Sequence, residues 1–220
     1  KIDSLYIQAT TTYQGLFGYV SNGTIKNLTV EGELNTTGNY AGGIAAYLSG
    51  VTMTNCVNRV KINGAAYIGG MTAVANGATI ITNCGNEVEL AGTAASTYIG
   101  GITGNAMNAT TVLNGCYNWA SITGQNYVAG ISANVQNAGA TIKNVNNTGR
   151  VVATGANVGA IRAHKTNGNF ENIYASKAYA IDTAATVKTV ILDPEEIFNG
   201  KAAWLLRPVF GQKIGVDPRS

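Results

Sequence analysis

One short pattern governs what this chain can fold into. It reads Tyr40-Ala41-Gly42-Gly43-Ile44, then Tyr67-Ile68-Gly69-Gly70-Met71, Tyr98-Ile99-Gly100-Gly101-Ile102 and Tyr127-Val128-Ala129-Gly130-Ile131. With a weaker copy on either side, the pattern makes six tandem units. Their starts lie 27 to 31 residues apart, as from Tyr40 to Tyr67 and from Tyr67 to Tyr98. A unit of that length is one supersecondary element, and it can bury its apolar side only by stacking on its neighbours.

Four apolar rows emerge when the copies are superposed. Phe17, Ile44, Met71, Ile102, Ile131 and Ile161 form the first, and Ile25, Met53, Ile81, Leu113, Ile142 and Phe170 the second. Leu28, Cys56, Cys84, Cys116, Val145 and Ile173 form the third, and Leu34, Ile62, Leu90, Ile122 and Ala153 the fourth. Between them polar and apolar residues alternate, the period of a strand, with no stretch long enough for a helix. Like residues in consecutive copies then lie about 4.8 Å apart if the strands pair in parallel. The expected fold is an all-β, right-handed parallel β-helix of about six coils, right-handedness being the default for parallel crossovers. A propeller is excluded because a four-stranded blade needs about 40 residues.

Composition agrees with strands and tight turns. Charged residues are 11% of the chain and glycines number 28, against roughly 25% charged in an ordinary globular domain. The net charge of +3 is spread without a Lys/Arg cluster, so no nucleic-acid partner is expected. No apolar run approaches the roughly 20 residues of a membrane span. Lys1 is not a natural start, which suggests an excised or processed piece whose solenoid began upstream. Ile2, Leu5 and Ile7 repeat the spacing of Ile25, Leu28 and Val30, as the latter half of an earlier coil would.

Glycines at positions 42, 69, 100 and 159 fall where the chain must turn a corner close to the coil below, with Ala129 and Ala160 as deviations. Asn27, Asn55, Asn83, Asn144 and Asn172 form a turn-stabilising amide ladder that Gly115 interrupts.

The string Gly15-Leu16-Phe17-Gly18-Tyr19-Val20, followed by Gly23-Thr24-Ile25-Lys26-Asn27-Leu28-Thr29-Val30-Glu31-Gly32, resembles the GLUG repeat family. The resemblance covers residues 13 to about 174. It implies a non-catalytic solenoid region of a large bacterial surface or secreted protein, such as the immunoglobulin A protease-like polypeptides. No catalytic residue comes with it, because the motif holds none. Residues 197–206 and 210–215 are similar to the tail that follows such repeats. Asp193-Pro194-Glu195-Glu196 is a helix start, so residues 194–206 are expected to form a short cap. The domain reading is therefore a β-helix over 1–192 with an incomplete first coil, and a capping segment over 193–220.

The chemistry-bearing residues have structural explanations. Three cysteines on successive rungs of one interior row read as free buried thiols, since parallel Cβ vectors hold them wider than a disulfide needs. The only histidine, His164, lies far from them, so neither metal nor cofactor is expected. Glu31 and Glu33, Arg59 and Lys61, Glu87 and Glu89 fall at matching outward positions, a minus-plus-minus ladder in which each carboxylate is held ionised. Arg162, His164 and Lys165 have no nucleophile beside them. Thr24, Thr52 and Thr141 give way to Ile80 and Val112, which breaks the flat threonine row that an ice-binding solenoid needs.

The tyrosine row Tyr13, Tyr40, Tyr67, Tyr98 and Tyr127 is left as the candidate contact surface, with Trp119 on the outer face beside the charge ladder. Stacked tyrosines stabilise a parallel ladder, and an exposed row also offers sugar rings a platform. The sequence thus points to an extracellular, adhesin-like or spacer module on a bacterial surface, with a host or environmental glycan or surface protein as partner. The competing reading is a carbohydrate-active β-helix enzyme whose site includes residues upstream of Lys1.

Overall fold

The computed structural model describes residues 1–93, 98–164, 168–176 and 189–192. Over these residues the protein is an all-β solenoid of about six turns in which every strand pair is parallel. Residues 193–220, with the expected cap, and Lys165 lie outside the described residues.

Each turn contributes to three sheets. The Tyr-x-Gly segments Tyr40–Gly42, Tyr67–Gly69, Tyr98–Gly100, Val128–Ala129 and Val158–Gly159 make one five-stranded sheet. After the glycine corner, Phe17–Ser21, Ala45–Ser49, Thr72–Asn76, Thr103–Ala106 and Ser132–Val135 make a second. The remaining strands join one large sheet bent at the asparagine turn.

That bend has a backbone cause. Asn27, Asn55, Asn83, Asn144 and Asn172 have φ between 48° and 55°, and Gly115 has φ 66°. Asparagine and glycine tolerate this left-handed region best. Gly115 therefore keeps the conformation of the row rather than breaking it, and the neighbouring Asn114 supplies the missing acceptor, taking a 2.7 Å hydrogen bond from Asn144 Nδ2.

The second and third apolar rows have the expected register, through Ile25↔Met53↔Ile81↔Leu113↔Ile142↔Phe170 and the row containing Cys56, Cys84 and Cys116. Three rungs differ from the sequence expectation. Phe17 pairs with Ala45 and is 40% exposed, while Leu16 packs on the core in its place. Gln14 pairs with Ala41 but Phe17 with Ala45, so the first copy is one residue shorter between the two, and a one-residue slip sends a strand side chain to the opposite face. In the fourth row Val151, not Ala153, pairs with Ile122. At the start, Ile2, Leu5 and Ile7 pair with Val30, Gly32 and Leu34, four or five residues further along the coil than the expected Ile25, Leu28 and Val30.

A buried polar column also runs through the interior. Asn58, Asn86, Asn118 and Asn147 are at most 1% exposed. Each passes an amide hydrogen bond to the next, at 2.8, 2.7 and 2.7 Å. Each Nδ2 also donates to the carbonyl two residues on, of Val60, Val88, Ala120 and Gly149. Both amide donors of Asn58, Asn86 and Asn118 are thus satisfied, which makes burial of the column tolerable.

Candidate functional site

The tyrosines do form one column. Consecutive rings from Tyr13 to Tyr127 stack with centroids 5.1, 5.2, 5.1 and 4.7 Å apart and planes within 27°. Tyr19 and Tyr47 make a second, shorter stack at 4.9 Å, edge-on to the first. At the far end the His164 ring meets Tyr127 edge-on at 5.1 Å, and its Nδ1 lies 3.2 Å from Asn134 Oδ1. Tyr98 and Tyr127 rest on Ala129, Ala133 and Ala163. Small residues at those rungs leave the room that the rings occupy.

This geometry limits what the column can bind. A ring inserted between two tyrosines needs roughly 7–8 Å, two van der Waals contacts, and finds about 5 Å. The column therefore presents edges and hydroxyls along its length, with one open face at Tyr13, which is 39% exposed. Burial raises the Tyr40 and Tyr98 hydroxyls above the ordinary tyrosine pKa, and neighbouring tyrosines add to the effect.

The outer face of the large sheet carries the charge ladder. Glu31 pairs with Arg59 in register, and Arg59 bonds Glu31 Oε1 through Nη1 at 2.9 Å and Glu87 Oε2 through Nε at 2.8 Å. Lys1 extends the ladder by one rung, 2.8 Å from Glu31. Hydrogen bonds from Lys1, and then from Arg59, hold the Glu31 carboxyl below the usual range. On the second track Lys61 lies 3.7 Å from Glu89, while Glu33 accepts from Asn35 Nδ2 at 2.8 Å.

Trp119 continues this face. Its amide donates to Asn86 O at 3.0 Å, which sets it one coil beyond Glu87, and its ring is 42% exposed. The indole packs at 4.4 Å and 33° on Tyr117, whose hydroxyl donates to Glu87 Oε1 at 2.7 Å. Sequence reading placed Trp119 near the charges but missed Tyr117. A visible signal was Gly85, at the rung where the neighbouring coils carry Val57 and Tyr117.

The cysteines are buried and free. Burial pushes the Cys84 thiol well above its ordinary value and Cys116 up to about 12. Among the described residues no three of His, Cys, Asp and Glu gather as metal ligands. Arg162 lies with its guanidinium 4.8 Å from the Phe170 ring centroid.

No family model and no curated protein matches the chain. Among solved structures it is similar to a protein from Bacteroides ovatus described as a "putative immunoglobulin A1 protease", with a TM-score of 0.57 and 19% identity. The match covers 84% of this chain and 70% of that one, and what the two share is the fold.

Proposed function

We propose that this chain is a non-catalytic, extracellular repeat module of a larger bacterial surface protein, built from GLUG-like coils and serving as an adhesin-like or spacer element. The observation that carries the reading is how the outward carboxylates are held. Glu31 and Glu87 are bridged by Arg59, and hydrogen bonds from Lys1 and then Arg59 hold the Glu31 carboxyl below the usual range, which disfavours it as the protonated acid that glycoside cleavage requires. The fold shared with the Bacteroides ovatus protein supports a place among the solenoid regions of such polypeptides. Its partners on this reading are a host or environmental glycan or surface protein, together with preceding coils of the same polypeptide.

Two measurements test the proposal. Incubating the protein with immunoglobulin A1 and with a panel of polysaccharides should yield no cleavage products. Turnover that Glu31→Gln or Glu87→Gln abolishes would overturn the non-catalytic assignment. Labelling intact cells of the producing bacterium with a membrane-impermeant biotin reagent should tag the protein, and its protection until lysis would overturn the surface location.

A further inference from the structure

We propose that Trp119 is a fixed platform for one pyranose unit of a glycan chain, and that a depression further along the same outer face takes another unit of that chain. This rests on the adhesin-like reading and names its contact surface, which is not the tyrosine column.

The platform is built from the glycine upward. A Cβ on Gly85 would lie 2.0 Å from Tyr117 Cζ, so only glycine lets the Tyr117 ring lie across that rung. The ring is then held at both ends, by the backbone at one and by the 2.7 Å hydrogen bond to Glu87 at the other. Glu87 is itself fixed by Arg59 at 2.8 Å. Trp119 packs against this immobilised ring and remains 42% exposed. An indole held before a ligand arrives loses little side-chain entropy on binding.

The surroundings select the ligand. The indole is a flat apolar surface, and the groups around it are charged or hydroxylic. Arg59 and Glu87 stand on its own track, with Glu89, Ser121 and Arg150 on the next, where Leu90 N bonds Ser121 O and Ile122 N bonds Arg150 O. A pyranose has the matching shape, one face of C–H groups and a rim of hydroxyls. A lysine or arginine from a protein partner would also be drawn to the indole, but the cations and carboxylates around it are already paired with one another, Arg59 with Glu31 and Glu87 and Lys61 with Glu89.

A second feature lies on the same coil. Trp119, Ser121 and Thr123 alternate with the buried Asn118 and Ile122, and four residues reach at most about 13–14 Å along the chain. Within that reach Thr123 lines an open depression of about 470 Å³ together with Thr93, Gln125, Thr154, Val152 and the glycines at 92 and 124. An oligosaccharide of about three units reaches from the indole to these hydroxyl and amide groups.

The test uses the full chain on an array of immobilised neutral, N-acetylated and sialylated oligosaccharides, followed by titration calorimetry with the best oligosaccharide. The expected result is binding that Trp119→Ala weakens by about tenfold or more, as loss of a central aromatic contact does, at an unchanged melting temperature. Gly85→Ala leaves Trp119 in the sequence but lifts Tyr117 from beneath it, and should weaken binding severalfold. Gln125→Ala should weaken binding of a trisaccharide more than that of a disaccharide. Full-strength binding by Trp119→Ala, or binding to no oligosaccharide by the intact chain, would overturn the platform. Capture of only cationic peptides, lost in Trp119→Ala, would overturn the ligand class. The surface-module reading would survive each of these, since cell labelling and turnover decide it separately.

Discussion

A Cβ built on Gly43 would lie 1.9 Å from Oδ1 of Asn58, across the interior of one coil. At Gly70, Gly101 and Gly130 the side chains of Asn86, Asn118 and Asn147 lie 2.8, 2.8 and 2.3 Å from such a Cβ, behind the still nearer carbonyl of the next coil at 2.2, 2.1 and 2.1 Å. The second glycine of each motif is therefore the counterpart of the buried amide column. Where the column ends, Ala175 stands opposite Asn147 on the next rung and Ala160 replaces the glycine. The amide and the glycine are thus lost together in the same coil.

Gly43→Ala should destabilise the protein by roughly 1–3 kcal/mol through overpacking. Asn86→Ala, which leaves buried amide groups of Asn58 and Asn118 without their partner, should cost about 1–3 kcal/mol for each group left unpaired. The double variant Gly43→Ala with Asn58→Ala should be more stable than the sum of the two single changes. Chemical denaturation of the four proteins measures this, and strict additivity would disprove the steric link.

In the tyrosine column, Tyr67→Phe should leave stability nearly unchanged, whereas Tyr67→Ala removes two stacked contacts. At about 0.5–1.5 kcal/mol for each aromatic pair, the loss is roughly 1–3 kcal/mol beyond the area exposed. If the column is structural, glycan-array signals of Tyr67→Ala and Tyr98→Ala should match those of the unmodified protein once folding is checked by circular dichroism.

Alkaline titration should show the same packing. The Tyr40 and Tyr98 hydroxyls have pKa values raised above that of an unfolded tyrosine, so the native state holds their protons more tightly. The stabilisation is complete below the unfolded value near 10 and is lost as pH rises through the folded values. Absorbance of tyrosinate near 295 nm should therefore develop late for part of the tyrosines, and the melting temperature should fall above about pH 10.

Thiol chemistry offers a further check. Cys56, Cys84 and Cys116 have no exposed surface; a hydrogen bond with Cys84 lowers the Cys56 thiol to about 7 while burial raises Cys84 and Cys116, so access rather than thiolate fraction limits all of them. Ellman's reagent at pH 8 should find no reactive thiol in the native protein and all 3 after denaturation. Fast native labelling at any of them would contradict the interior row.

The charge ladder should contribute little to stability. Arg59 is half exposed, and replacing it with Met should shift the melting temperature only slightly at low salt. At 1 M salt, where screening acts within about 3 Å, the difference should vanish.

The sequence alone determined the repeat and, through it, a stacked parallel solenoid with cysteines inside and charges outside. Those features follow from period, since a copy of that length must stack and strand alternation fixes inside from outside. Register at irregular copies needed the tertiary structure: a one-residue shortening after Gln14 moved Leu16 inward and Phe17 outward, and pairing with Ile122 chose Val151 over Ala153. Hydrogen-bonded neighbours, which decide these rungs, are about 30 residues away in the chain. The same holds for the interior amides, because Asn58 or Asn86 read alone is an ordinary polar residue and becomes tolerable inside only with partners one coil away. Only the coordinates show that the tyrosine faces close on one another while Gly85 opens the space in which Tyr117 supports Trp119. Ring orientation depends on neighbouring coils, and no single repeat contains that information.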